Sequence, residues 1–230
     1  MARVCTACFV LRPTTTMSTP FLALCDLCAD ELDEYRLRGQ ASLSPFPEGN
    51  LRACFEYRGL LRRLVLRAKV RGDQRATDLL LDLCVKHPSS LSLCQTADVL
   101  VAAPSSLWGR LRGRFDLAML LALHLGTRHS LPVLPAPAHL YWRMTKSARL
   151  SREQRAKRAS ILPPRLIQRA KENWRASLRA LGPNPRLLLI DDIVTTGLTL
   201  KTTAAAMLDG EAPLSLQMLV MASSDGRKMP

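Results

Sequence analysis

Two adjacent carboxylates, Asp191 and Asp192, lie between an aliphatic run, Leu187-Leu188-Leu189-Ile190, and a hydroxyl-rich loop, Ile193-Val194-Thr195-Thr196-Gly197-Leu198-Thr199. Side by side at the carboxyl end of a buried strand, two carboxylates can accept hydrogen bonds from vicinal hydroxyls or hold Mg2+, directly or through water. Thr195, Thr196, Gly197 and Thr199 then supply hydroxyls and uncrowded backbone N–H groups at the start of a helix, a cradle for a phosphate dianion. A diol at one end and a phosphate at the other describe a ribose 5-phosphate.

A second constellation opens the chain. Cys5, Cys8, Cys25 and Cys28 read C-x2-C-x16-C-x2-C. Each C-x2-C turn can point two thiolates at one centre, and the spacer is long enough to bring the second pair round to complete a tetrahedron, the pattern of a Zn2+ site. Disulfide pairing is the alternative; the opening MARVCTACFV has no charged n-region, apolar core or cleavage site of an export signal, which argues against it and sets a cytoplasmic expectation. Four thiolates leave no position for water, so the metal is expected to be structural, tying down residues 1–40 as a small zinc-ribbon-like module. Cys54, Cys84 and Cys94 have no partner spacing and read as buried small hydrophobes.

The elements that must position these groups are readable from periodicity. Residues 41–50, ASLSPFPEGN, form a Pro/Ser/Gly-rich linker, and residues 51–230 form the second domain. From Gly59, GLLRRLVLRAKVRG places Leu60, Leu61, Leu64, Val65 and Ala68 on one helical face, with Gly72 as its stop. ATDLLLDLCVKH is helical up to Pro88, DVLVAAP is a buried strand ended by Pro104, FDLAMLLALHLG is helical, and LPVLPAP allows no more than a short edge strand. RLLLID, the threonine loop, TLKTTAAAML and LSLQMLVMA then read strand, loop, helix, strand, a βαβ unit that implies a parallel sheet.

Of the 230 residues, 47% are hydrophobic and the net charge is +14. Wholesale disorder is excluded, and no apolar run approaches the ~20 residues of a membrane span. Arg outnumbers Lys 26 to 7, and twelve of these cations lie between Arg143 and Arg179 against two acids, Glu153 and Glu172. Arg's planar fork suits phosphate oxygens, so polyanions are plausible partners, although such runs are often only solvated faces. No G-x-x-x-x-G-K-[ST] or G-x-G-x-x-G occurs, and His87, His124, His129 and His139 have no metal-ligand spacing. Trp142 and Trp174 each fall beside Arg, and Trp108 lies two residues from Arg110; packing on the sheet is their commoner use.

The stretch LLLIDDIVTTGLT resembles the phosphoribosyl pyrophosphate (PRPP) motif of type I phosphoribosyltransferases. Joined to a four-cysteine module, it resembles the ComF/GntX-like (ComFC) family over essentially the whole chain. Tyr57-Arg58-Gly59 and Lys69-Val70-Arg71-Gly72 look like that family's Tyr-x-Gly and Lys-x-x-Gly elements, and DVLVAAPSS like its strand before the pyrophosphate loop. Arg110-Leu111-Arg112-Gly113-Arg114-Phe115-Asp116 only echoes the family's Arg-Gly-Phe-Asn, and Ser147 and Arg158 stand where Gln and Asn are usual around Leu150, Ser151 and Arg155.

The resemblance implies an α/β type I phosphoribosyltransferase fold, a central parallel sheet flanked by helices, and displacement at C1 of PRPP with Mg2+-dependent loss of pyrophosphate. It assigns Asp191 and Asp192 to the diol and Mg2+, and Ile193, Val194, Thr195, Thr196, Gly197 and Thr199 to the 5-phosphate. Pro104, Ser105, Ser106, Lys69, Arg110 and Arg112 go to the pyrophosphate. It also implies a link to DNA uptake, through single-stranded DNA or other competence proteins. A non-catalytic DNA-associated adaptor and a PRPP-sensing regulator that keeps the fold are the alternatives; an aromatic content of 5% counts against base stacking.

Overall fold

A computed structural model describes residues 2–13, 24–37, 51–105, 116–137, 163–208 and 215–224. Ser106, Arg110, Arg112, the 41–50 linker, Trp108, Trp142, His139, Ser147 and the cations from Arg143 to Arg158 lie outside the described residues.

The chain begins with an antiparallel pair, β1 (Ala2–Val4) and β2 (Leu11–Pro13), joined through the first C-x2-C turn. Helix α1 (Asp26–Glu34) starts at the second, with Cys25 as its N-cap, and β3 (Leu51–Glu56) follows. Helix α2 (Gly59–Arg71) buries the five apolar residues that its periodicity singles out, and Gly72 ends it at φ 64°, the left-handed conformation that suits glycine. Asp73 caps α3 (Gln74–Val85) by accepting from the Ala76 N–H, and α4 (Pro88–Thr96) starts on Pro88 with the His87 ring accepting from Ser89 N–H.

Strand β4 (Val99–Ala102) is buried throughout. It leads to α5 (Leu117–His129), capped by Asp116, and to the short β5 (Val133–Pro135). Helix α6 (Pro164–Arg179), strand β6 (Leu187–Val194), helix α7 (Leu198–Leu208) and strand β7 (Leu216–Ser223) complete the order.

Five strands form one parallel sheet in the order β3-β7-β6-β4-β5. Alternation along the strands sends one set of side chains to each face. Leu100, Ala102, Leu188, Ile190, Leu219 and Met221 face helices α2 to α5, while Val99, Val101, Leu187, Leu189, Met218 and Val220 face Trp174 and Leu178 of α6 and Leu200, Ala204 and Met207 of α7. Helices thus cover both faces of an all-parallel sheet, as its continuous apolar strands require. At the strands' amino ends, Arg186 clamps Asp98 with two side-chain hydrogen bonds of 2.7 and 3.0 Å and a third from its backbone N–H.

The four-cysteine segment shares the first of these cores: Cys5, Ala7, Leu24, Cys25, Cys28 and Leu32 pack with Cys54, Phe55, Leu60, Leu61 and Leu64. Glu31 accepts from the Leu60 N–H at 2.8 Å, giving the first turn of α2 a carboxylate cap that its own N-terminal residue does not supply. Gly59 sits at φ 48°, and a Cβ there would run into the Tyr35 ring, so this joint admits only glycine without rearrangement. Residues 35–37 bond along the outer edge of β3, with Leu37 N–H donating to Cys54 O and Glu56 N–H to Tyr35 O, around an antiparallel bridge between Arg36 and Phe55. Among the described residues no helix is long and apolar enough to cross a membrane.

Candidate functional site

The sheet order places a switch point between β4 and β6. From β4 the chain moves outward through α5 to β5, and from β6 it moves the other way through α7 to β7, each helix on its own face. The order therefore reverses between β4 and β6, and open parallel sheets bind ligands at the carboxyl ends of the strands at such a point. On the β4 side the pairing of β6 stops at Ile190, just before Asp191 and Asp192, while pairing with β7 runs on to Val194; Pro104 and Ser105 follow β4, held close because Ala103 N–H donates to Ile190 O at 2.7 Å.

The acidic pair is half-buried and already carries a cation. Lys69 of α2 places Nζ 2.6 Å from Asp192 Oδ2. Burial works against the Lys69 charge, but Asp192, then Asp191 and Tyr57, outweigh it and raise its pKa. Asp191 accepts from the Asp192 N–H at 2.8 Å. Burial, followed by the neighbouring Asp192 charge, pushes the Asp191 carboxyl up to about 8, with a further contribution from Asp116 that the Asp192 N–H and Lys69 only partly offset. Asp116 is the cap of α5, and Ser105 Oγ donates to its Oδ2 at 2.7 Å, so Ser105, just beyond β4, is tied to the start of α5.

The sign of the Asp191 effect is testable. A carboxyl whose folded pKa lies above its unfolded value of about 3.8 makes folding release stability as pH rises between the two. In Mg2+-free buffer this group therefore lowers stability progressively from about pH 4 to about pH 8, and Asp191→Asn flattens that part of the profile. Urea midpoints measured at half-unit pH steps read the difference; parallel profiles for the two proteins contradict it.

Beyond the carboxylates lies an open pocket lined by Asp191 and residues 193–200. Gly197 is buried at φ 65°, the conformation that turns the loop into α7. Thr196 Oγ1 accepts from Leu198 N–H at 3.4 Å, and Lys201 N–H donates to Gly197 O at 2.9 Å, which starts the helix. Thr195 and Thr196 are exposed and Thr199 half-buried, and all three line the pocket, while Val194 is buried and belongs to the core. This geometry brings a carboxylate pair and a helix-starting hydroxyl loop to one strand end. The chain matches no family model and no curated protein.

Of the expected site residues, Asp191, Asp192, Ile193, Val194, Thr195, Thr196, Gly197 and Thr199 meet on β6 and its loop, and Pro104 and Ser105 adjoin them on β4. Lys69, expected at a pyrophosphate, sits on the acidic pair. Sequence reasoning meets Asp116 only as the end of the Arg110–Asp116 echo and misses the bond it accepts from Ser105. The signal for Asp116 is its place one residue before the helical LAMLLALH run, where a cap belongs.

The four N-terminal cysteines also converge. Their sulfurs all lie within 4.8 Å of one another, and Cys8 and Cys25 are 3.8 Å apart, the separation of about 3.8 Å that a tetrahedron with ~2.3 Å Zn–S bonds requires. Three are buried and Cys8 is exposed. Burial alone would raise the Cys5 pKa, but N–H groups of Cys8, Cys25 and Ala7 lower it to about 7; Cys25 and Cys28 are raised by burial. The set could hold a metal such as zinc.

One arginine missed by motif reading secures this turn. Arg67 Nη1 donates to Thr6 O and Ala7 O, both at 2.9 Å, its Nε and Nη2 bond Asp73 Oδ2 at 2.9 and 2.6 Å, and its guanidinium lies 4.0 Å over the Phe9 ring. Cys54, Cys84 and Cys94 are buried, with Cys54 Sγ 3.5 Å from Ser90 Oγ beside His87, which is itself buried. Trp174 is buried against the sheet.

Proposed function

We propose that the chain is a PRPP-binding, phosphoribosyltransferase-like protein of the ComF type, with a type I phosphoribosyltransferase fold behind a structural zinc module. The observation that carries this reading is the acidic pair and threonine loop on one strand end at the switch point. The stretch that resembles the PRPP motif is the one that lines the pocket.

In this reading the Asp191 and Asp192 oxygens receive the ribose hydroxyls, and Thr195, Thr196 and Thr199 with the start of α7 receive the 5-phosphate. Displacement at C1 develops positive charge on the sugar and negative charge on departing pyrophosphate, so the chain's contribution is positioning and electrostatics. Asp191 and Asp192 are hard oxygen donors that fit Mg2+, which when bound would offset the charge of the leaving pyrophosphate. Lys69 must let go of Asp192 as ligand enters, and its ammonium is then free for a phosphate oxygen.

The deciding experiment is a melting curve with PRPP and Mg2+ together, followed by pyrophosphate release against a panel of bases, nucleotides and short single-stranded DNA. A raised melting temperature is expected, and its absence sinks PRPP binding. A raised temperature with no release from any acceptor favours the sensing regulator.

A second reading, a DNA-associated adaptor, gains support from α6, whose Arg165, Arg169 and Arg179 are exposed while Trp174 and Leu178 hold the helix to the sheet. Arginines that neutralise phosphates give an affinity for a fluorescent single-stranded oligonucleotide that falls linearly on a logarithmic salt scale. Replacing these three arginines with Gln is expected to lower the slope by about 2, at ~0.7 for each phosphate left unneutralised. No binding at low salt eliminates direct DNA contact.

A further inference from the structure

We propose that Arg67 is a positioning residue through which the four-cysteine cluster supports the acidic pair: by tying the Cys5–Cys8 turn to the last turns of α2, it holds Lys69 on Asp192. The inference rests on the reading above of Asp191 and Asp192 as the ligand site.

The geometry is a short chain of contacts. Thr6 and Ala7 lie between Cys5 and Cys8, so a metal that holds both sulfurs also fixes the two carbonyls that Arg67 bonds. The Arg67 side chain is only 11% exposed and spends its remaining donors on Asp73, the cap of α3. One guanidinium therefore joins the metal turn, the end of α2 and the start of α3. Lys69 follows two residues later, about 200° round the helix at about 100° per residue, and so leaves α2 on the opposite side, toward the strand ends. A long, flexible side chain holds a 2.6 Å ion pair only if its helix stays in place.

A link of this kind acts in both directions. Metal at the cluster steadies Lys69 on Asp192, and removing the Asp192 partner loosens the turn that holds the metal. The test reads the second direction, without PRPP. The full chain is loaded with one equivalent of Zn2+, and transfer to excess 4-(2-pyridylazo)resorcinol is followed by absorbance. Asp192→Asn and Lys69→Met are expected to speed zinc loss threefold or more, although neither touches the cluster. Arg67→Met speeds it further, and adding Asp192→Asn to Arg67→Met has no additional effect. Arg67→Lys behaves like Arg67→Met, because one ammonium cannot serve two carbonyls and Asp73 together.

Zinc release at the unmutated rate in both Asp192→Asn and Lys69→Met overturns the proposal, as do additive effects in the double variant or a chain that takes up no zinc. Arg186→Met, at the other end of the strands, is the control and leaves the rate unchanged; an equal acceleration there means general loosening and also overturns it. Failure of PRPP to raise the melting temperature would count against the ligand reading alone, since the zinc-release measurements do not depend on that ligand.

Discussion

Asp191→Asn combined with Asp192→Asn abolishes the melting-temperature rise that PRPP and Mg2+ give the unmutated chain. At a ligand concentration of 100 times Kd, linkage alone stabilises the folded chain by about 2.7 kcal/mol. For a domain of this size each kcal/mol moves the midpoint by about 2–4 °C, so the expected rise is roughly 5–10 °C. The double variant loses both carboxyl groups and with them half the acceptor capacity facing the diol, while Asn at 191 can still accept from the 192 N–H. The near-isosteric amides keep the fold and pocket shape, and the ligand response disappears. Without ligand two effects oppose each other: removing Asp191, which burial and the adjacent charge hold up to about 8, relieves a cost, while Lys69 loses its Asp192 partner, so the double variant is expected to melt somewhat lower than the original. Differential scanning fluorimetry of both proteins, with and without ligand, reads all four values. A double variant that keeps the full ligand shift places PRPP elsewhere.

Cys25→Ser is the second large effect. Its sulfur is one of four within 4.8 Å, and its residue caps α1, accepting backbone bonds from Cys28 and Ala29. Serine preserves the cap but removes a thiolate, and a four-thiolate site owes much of its folding free energy to the full set. Residues 2–13 and 24–37 contribute few apolar side chains of their own, so without metal they hold poorly to α2, and the Glu31 cap on Leu60 and the Arg67 bonds to Thr6 and Ala7 weaken with them. A loss on the order of 5 kcal/mol, or roughly 10–20 °C, is expected. Calorimetry paired with metal analysis checks it. Chelator-treated original protein should fall to a similar midpoint and recover with Zn2+; a Cys25→Ser chain that keeps a full equivalent of metal and its midpoint refutes the assignment.

Where periodicity is strong, the elements can be read directly. The face Leu60, Leu61, Leu64, Val65, Ala68 of α2 and the runs of β4, β6 and β7 show their burial in residue type alone. Strand β3 escapes because Arg52 and two small residues, Ala53 and Cys54, dilute its apolar signal, and α4 because its Ser-rich PSSLSLCQT has the composition of a loop despite Pro88 at its start. The acidic pair and threonine loop are contiguous in sequence and so are legible as a unit. Lys69 on Asp192, Ser105 on Asp116 and Arg67 on the metal turn join residues 123, 11 and about 60 positions apart, and no spacing rule connects them. Arg67 in particular is one of many arginines, and only burial separates it from the solvated ones.

The sheet's two borders bear on how this protein meets copies of itself. On one side residues 35–37 already occupy the outer edge of β3, and on the other β5 is three residues long, ends in Pro135 and is preceded by Pro132. Open strands are the places where folded chains recruit one another into continuous sheets. Here one margin is taken by the chain's own N-terminal segment and the other is short and poor in N–H groups. A loosened N-terminal segment would uncover β3, so metal loss should be visible as concentration-dependent association by light scattering before it is visible as unfolding.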